Sequence, residues 1–184
     1  MARGSVQHQF DVELADVDRG VYETLALRVA RHPSENDAYL VTRLLAYCLE
    51  YEEGIAFSRG LAEADEPAVW VKDLTGRLRA SIELGTPEAA RLHKASKASE
   101  RVVVYCHKAV EPWARTLERS RVHEADRITV VVLDRAFVDA LAATVARRNA
   151  WGLSVTDGTI YLDANATTLE STPTRFEGLG AISS

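Results

Sequence analysis

From Val6 to Leu14 the apolar side chains Val6, Phe10, Val12 and Leu14 fall on one parity, with His8 the single interruption, which is the period-two pattern of a half-buried strand. Asp16-Val17-Asp18-Arg19-Gly20 reads as a turn, and Leu25, Leu27 and Val29 place a second strand over Tyr22 to Ala30. The chain is therefore expected to open with an antiparallel hairpin. The period then changes: Leu40, Val41, Leu44, Leu45, Cys48 and Leu49 share one helical face and predict an amphipathic helix over 35–51. Ser34 is its expected N-cap, with Glu35 in the first turn, where the helix dipole favours an anion. Ile55 to Gly60 is a short strand or edge segment, followed by the acidic stretch Ala62 to Pro67.

Ala68 to Lys72 and Leu78 to Leu84 are predicted strands joined by the turn Asp73-Leu74-Thr75-Gly76. Thr86 and Pro87 open a predicted helix that runs to about Ala98. Two uninterrupted apolar strands, Val102 to Tyr105 and Ile128 to Leu133, alternate with helices at 112–121 and 135–148, the signature of parallel strands covered on both faces. A hairpin around Asp157-Gly158 joins Leu153–Val155 to Ile160–Leu162, and the Ser/Thr/Gly-rich end, about 170–184, is expected to fray. The elements together predict a mixed α/β fold in one domain of 184 residues, with a central mixed sheet flanked by helices.

Composition narrows the function classes. A formal net charge of −5 opposes a broad nucleic-acid-coating or membrane-coating surface. No apolar run approaches the roughly 18 residues that span a bilayer, and the first ten residues lack the apolar core of a secretory signal. Cys48 and Cys106 sit among apolar neighbours without metal spacing, as small core residues of a protein in reducing cytoplasm. Dinucleotide, P-loop, zincin and nucleophile-elbow motifs are all missing.

What chemistry remains lies in the first half. Glu83 ends a strand that enters the core, where an unpaired carboxylate is costly to desolvate. Across the hairpin it falls opposite Pro67 or Ala68, depending on the length of the turn, and so near Asp65 and Glu66. Asp73, at the far end, is a turn residue. Two readings of Glu83 stand: an ion pair with Arg59 or Arg91, or a ligand with its neighbouring acids to Mg²⁺, a hard cation that prefers oxygen. Residues 72–101 carry seven basic side chains against four acids, a local +3 that leaves −8 for the remainder. That segment suits a confined contact with backbone phosphates, or else holds solvated strand and helix charges. Trp70, Trp113 and Trp151 read as core or rim residues.

Several motifs occur together and in order: Arg31-His32-Pro33-Ser34-Glu35, Phe57-Ser58-Arg59-Gly60-Leu61, Asp65-Glu66-Pro67-Ala68-Val69-Trp70, and Ile82-Glu83-Leu84-Gly85-Thr86-Pro87 followed by Arg91 and Lys94-Ala95. With Ala15-Asp16-Val17-Asp18-Arg19 they make the chain resemble the YaeQ family of small bacterial proteins over nearly its whole length. The resemblance implies a compact variant of the PD-(D/E)XK, restriction-endonuclease-like core with an added N-terminal hairpin. It implies as catalytic residues Glu35, the helical acid, with Glu66, Glu83 and Lys94, and as Mg²⁺ ligands Asp65, Glu66 and Glu83 with the Leu84 carbonyl. Two positions depart from the superfamily pattern: Ala68 follows Pro67 where an aspartate is expected, and Gly85 stands where the strand lysine would be. The implied function is a divergent Mg²⁺-dependent nuclease acting on phosphodiester bonds, with a non-catalytic nucleic-acid- or protein-binding module as the alternative.

Overall fold

The computed structural model describes residues 4–59 and 65–183. Gly60 and Leu61 of the second motif, and the acidic stretch as far as Ala64, lie outside them. The chain divides into two compact units, one formed by 1–49 with 134–173 and the other by 50–133 with 174–184. The mixed α/β class is as expected, but the strands are shared between two sheets.

In the first unit β1 (Val6–Asp16) and β2 (Val21–Arg31) form the predicted hairpin, in register from Val6 opposite Arg31 to Asp16 opposite Val21. Asp16 holds the turn: its carboxylate accepts from the Arg19 backbone N–H at 3.1 Å and from Arg19 Nε at 2.6 Å. β8 (Arg148–Thr156) then lies parallel to β1, and β9 (Thr159–Ala164) and β10 (Thr167–Ser171) continue outward, giving the order β10-β9-β8-β1-β2. Asp18 ties the two tight turns together by accepting from the backbone N–H groups of Asp157 and Gly158, both at 2.8 Å.

Helix α1 spans Asp37–Leu49, two residues shorter at each end than the pattern predicts, and buries every residue from Leu40 to Cys48 rather than one face. An all-round buried helix shows weak periodicity, so the apolar stripe understates it. Asn36, not Ser34, caps the helix: its Oδ1 accepts from the Tyr39 backbone N–H at 2.8 Å, while Ser34 bonds the His32 ring. Asn36→Ala should therefore lower stability by about 1 kcal/mol, read from the shift of the urea midpoint, whereas Ser34→Ala should not. Helix α4 (Arg135–Ala142) stops well short of the predicted 148. Buried Asn149 bonds both the N–H and the carbonyl of Ala146, and Asn165 bonds the Thr144 carbonyl, so local side-chain bonds replace the helical ladder there.

The second unit orders its sheet β11-β7-β6-β5-β4-β3. β3 (Ile55–Phe57), β4 (Val69–Lys72) and β5 (Leu78–Leu84) are antiparallel neighbours. β5, β6 (Arg101–Cys106) and β7 (Ile128–Val132) run parallel, as the buried apolar runs require. Helices α2 (Ala89–Ala98) and α3 (Glu111–Glu118) connect them, and Leu92, Val102, Val104, Trp113, Leu117 and Val130 belong to one apolar core. The tail expected to fray is instead built in: β11 (Thr174–Glu177) pairs with β7, and Leu179 and Ile182 enter the same core. Its backbone finds a sheet edge, and Leu179 and Ile182 a place out of water, which composition does not reveal. Trp113 and Trp151 are buried, as read; Trp70 is half-buried, with the Lys72 ammonium 3.8 Å from its ring centre.

Candidate functional site

In the second unit, the C-terminal end of β5 and one face of α2 enclose a pocket of about 270 Å³ walled by Asp65, Pro67, Ser81, Glu83, Arg91 and Lys94 among others. The turn is the three-residue one, the Asp73 N–H bonding the Arg77 carbonyl at 3.0 Å, but an irregularity at Val71/Lys72 shifts the register beyond it, so that Val69 pairs with Ile82 and Glu83 falls across from Ala68. Asp73 is the turn residue expected: its Oδ1 accepts from the Thr75 hydroxyl and from the Thr75 and Arg77 backbone N–H groups, and these bonds hold its carboxyl below the usual range.

Strand alternation points Ser81 and Glu83 to the same side, and the helical spacing brings Arg91 and Lys94 onto a shared face of α2. That helix begins at Ala89, with Glu88 at the cap and no side-chain bond to it, so Thr86 and Pro87 precede it rather than open it. Pro87 instead anchors the core, its carbonyl accepting from Trp113 Nε1 at 2.8 Å.

Glu83 is 4% exposed, and Arg91 Nε bonds its carboxylate at 2.7 Å. The same guanidinium donates to the Glu66 carbonyl at 2.6 Å. Of the two arginines expected as partners of Glu83, Arg91 is the one bonded to it. Burial pushes the Glu83 carboxyl up, and the hydrogen bond and charge of Arg91 partly oppose this. Lys94 reaches the rim and pairs with Asp65 at 3.2 Å, both side chains largely in solvent. Glu66 contributes its carbonyl to Arg91, while its carboxylate accepts a long bond from the Arg59 backbone N–H at 3.4 Å. Among the described residues no three Asp, Glu, His or Cys side chains are grouped to hold a metal ion.

Gly85 has φ +80° and donates its N–H to the Tyr105 carbonyl at 2.8 Å. Any side chain here would be strained in the left-handed region, which favours glycine.

Glu35 belongs to the first unit and precedes α1 instead of lying in its first turn. Its Oε2 accepts from the His32 backbone N–H at 3.1 Å and meets Arg43 at 3.4 Å, with both charged side chains 2% exposed. Arg43 also donates to the Ala30 carbonyl at 2.9 Å. Glu35 is thus buried and paired within the first unit. The sequence signal for this pair is an arginine amid the apolar run of a helix, whereas the backbone carbonyl of Glu66 leaves no trace in sequence.

Two mixed sheets with parallel central strands, and an acid–arginine pocket at the end of one of them, define a small α/β protein of the kind already seen in bacterial crystal structures. The family model described as YaeQ protein matches residues 1–173, and the chain belongs to the YaeQ family. It is 30% identical over 172 residues to the protein YaeQ of Escherichia coli K12, itself described as uncharacterized, covering 92% of this chain and 94% of that one. The crystal structure of YaeQ from Pseudomonas syringae superposes with a TM-score of 0.85 at 31% identity, covering 95% of this chain and 97% of that one. The structure of YaeQ from Xanthomonas axonopodis pv. citri gives 0.83 at 32% identity, with 95% and 99% covered. No helix of the described residues is long and apolar enough to cross a membrane.

Proposed function

We propose that the β5–α2 pocket is a binding site for the phosphodiester backbone of nucleic acid, and that it works without metal-assisted cleavage. The observation that carries this reading is the partner of Glu83: the acid that the family resemblance makes a metal ligand is paired with an arginine guanidinium. A divalent cation at Glu83 would compete with the Arg91 guanidinium for a buried carboxylate. Lys94, by contrast, is held among the described residues by an exposed ion pair worth little in water, so its ammonium can exchange Asp65 for a phosphate at small cost. Trp70 lies opposite Ser81 on the neighbouring strand, and its ring with the Lys72 ammonium offers a cation and an aromatic face beside the pocket.

The test is fluorescence anisotropy of labelled single-stranded DNA and RNA oligonucleotides at low salt. Binding should weaken several-fold in Lys94→Gln, with the slope of log affinity against log salt falling by about one. No binding to either oligonucleotide, or an unchanged slope in the variant, sinks the reading.

A second reading, the Mg²⁺-dependent nuclease, is favoured by one fact: Asp65 and Glu83 wall the same pocket. It requires that Mg²⁺ or Mn²⁺ bind in titration calorimetry, that the oligonucleotide then be cut, and that Glu83→Gln abolish both. If all three occur, the metal reading replaces ours.

A further inference from the structure

The face of the sheet that bears the β5–α2 pocket continues onto β4. Trp70 pairs with Ser81 and, past the irregularity, Lys72 pairs with Leu78, and both partners wall the pocket. Side chains directly opposed across antiparallel strands point to one side, so the Trp70 ring and the Lys72 side chain stand on the pocket's side of the sheet. Neighbouring strands lie about 4.8 Å apart, which sets the indole one strand beyond Ser81.

What surrounds the ring on that face is small. Its opposite neighbours are Ser81 on β5 and Ala56 on β3, and its own strand supplies Ala68 and Lys72, two residues to either side. A core tryptophan packs against large apolar side chains, as Trp151 does against Phe10, with ring centres 5.1 Å apart. Trp70 instead stays half-buried, and the Lys72 ammonium lies over it, 3.8 Å from the ring centre. No carboxylate pairs with that ammonium among the described residues. An accessible cation on an aromatic face makes a weak contact, and a nucleic-acid base laid on the same face makes a stronger one. The ring is thus covered by a group that a base can replace, and the displaced ammonium becomes a second cation for the backbone beside Lys94.

Resting on the backbone-binding reading of this pocket, we infer that the site takes single-stranded nucleic acid, with a phosphate at Lys94 and an unpaired base stacked on Trp70 in place of the Lys72 ammonium. A duplex keeps its bases stacked on one another and has no free face to offer, so the ring selects single strands.

The test compares strands with and without bases on the full chain at low salt: oligothymidylate and oligouridylate, each against an abasic strand of the same length and backbone. Anisotropy should show the better of the two base-bearing strands binding at least about tenfold more tightly than its abasic counterpart, the worth of one stacked base. Intrinsic tryptophan emission should be quenched by that strand and not by the abasic one; Trp113 and Trp151 are buried, so the change reports on Trp70. Trp70→Leu should abolish the quench and bring the base-bearing strand down to the affinity of the abasic one. Trp70→Phe, which keeps an aromatic face, should hold the preference to within about threefold. Equal affinity with and without bases, both still weakened by Lys94→Gln, would overturn the stacking and leave the backbone reading standing, whereas no binding by any strand would end both. A quench that survives Trp70→Leu would also overturn it. The wild-type comparison decides even if Trp70→Leu does not fold.

Discussion

Glu35→Ala should destabilise the chain by about 3–5 kcal/mol in urea unfolding, because it strands the Arg43 guanidinium in the interior without its anion. Against the roughly 5–15 kcal/mol typical of a domain, that is a large share of the whole. The cause lies in the pair itself: both side chains are 2% exposed and meet at 3.4 Å, so neither can recover its hydration when the other is removed. Replacing both partners together, as Glu35→Met with Arg43→Met, should recover most of the loss, since two apolar side chains need no desolvation of charge. A loss below about 1 kcal/mol in the single variant would show that Glu35 is not structurally required, and would return it to the catalytic role the family resemblance implies.

The second large effect concerns Arg91. Arg91→Gln should cost about 2 kcal/mol at neutral pH, less than for a fully buried pair because the arginine side chain stays 37% exposed. The loss should depend on pH in a defined direction. Burial holds the folded-state Glu83 carboxyl above its ordinary value of 4.5, so the folded state keeps a proton that the unfolded chain gives up. The contribution of Glu83 to stability is therefore fully present below the ordinary glutamate value and is lost as pH rises through the raised one. Without Arg91 that decline steepens, because nothing opposes the burial of the charge. The variant and the wild-type chain should thus converge in acid and separate above the ordinary glutamate range. Urea midpoints measured across pH 4 to 8 are the check. A gap that stays constant with pH would mean that Arg91 acts by packing alone.

Much of the fold is legible in sequence where one strand face or one helix stripe meets a core. The β1–β2 hairpin, the parallel runs at Val102 and Ile128, and the turn built by Asp73 all follow from local pattern. What is not legible is pairing over distance. Nothing in Val6–Asp16 announces that its other neighbour is Arg148–Thr156, and so the division into two sheets is hidden behind strands that each read correctly alone. The tail fails for a related reason: Thr174–Glu177 is polar and short, and becomes a strand only because the edge of β7 is there to receive it.

The pocket divides the same way. Local reasoning brings Glu83 to the neighbourhood of Asp65 and Glu66, and the register agrees. It cannot decide which cation arrives at the carboxylate, because Arg91 meets Glu83 only once α2 is packed against the sheet. For Glu35 the obstacle is different. The helix dipole accounts for an acid at that position so well that the buried arginine eight residues on goes unnoticed.

The parallel pairing of β1 with β8 also sets an order of assembly. During synthesis β1 and β2 emerge as a hairpin, but the strand that covers the free edge of β1 follows only after the entire second segment, residues 50–133, has been made. For that interval the first unit exposes an eleven-residue strand edge with its ladder groups unpaired, while β3 to β7 of the second unit can already pair among themselves. The sheet that begins first is closed only after the parallel core of the other, and its waiting edge is open to pairing with a neighbouring nascent chain.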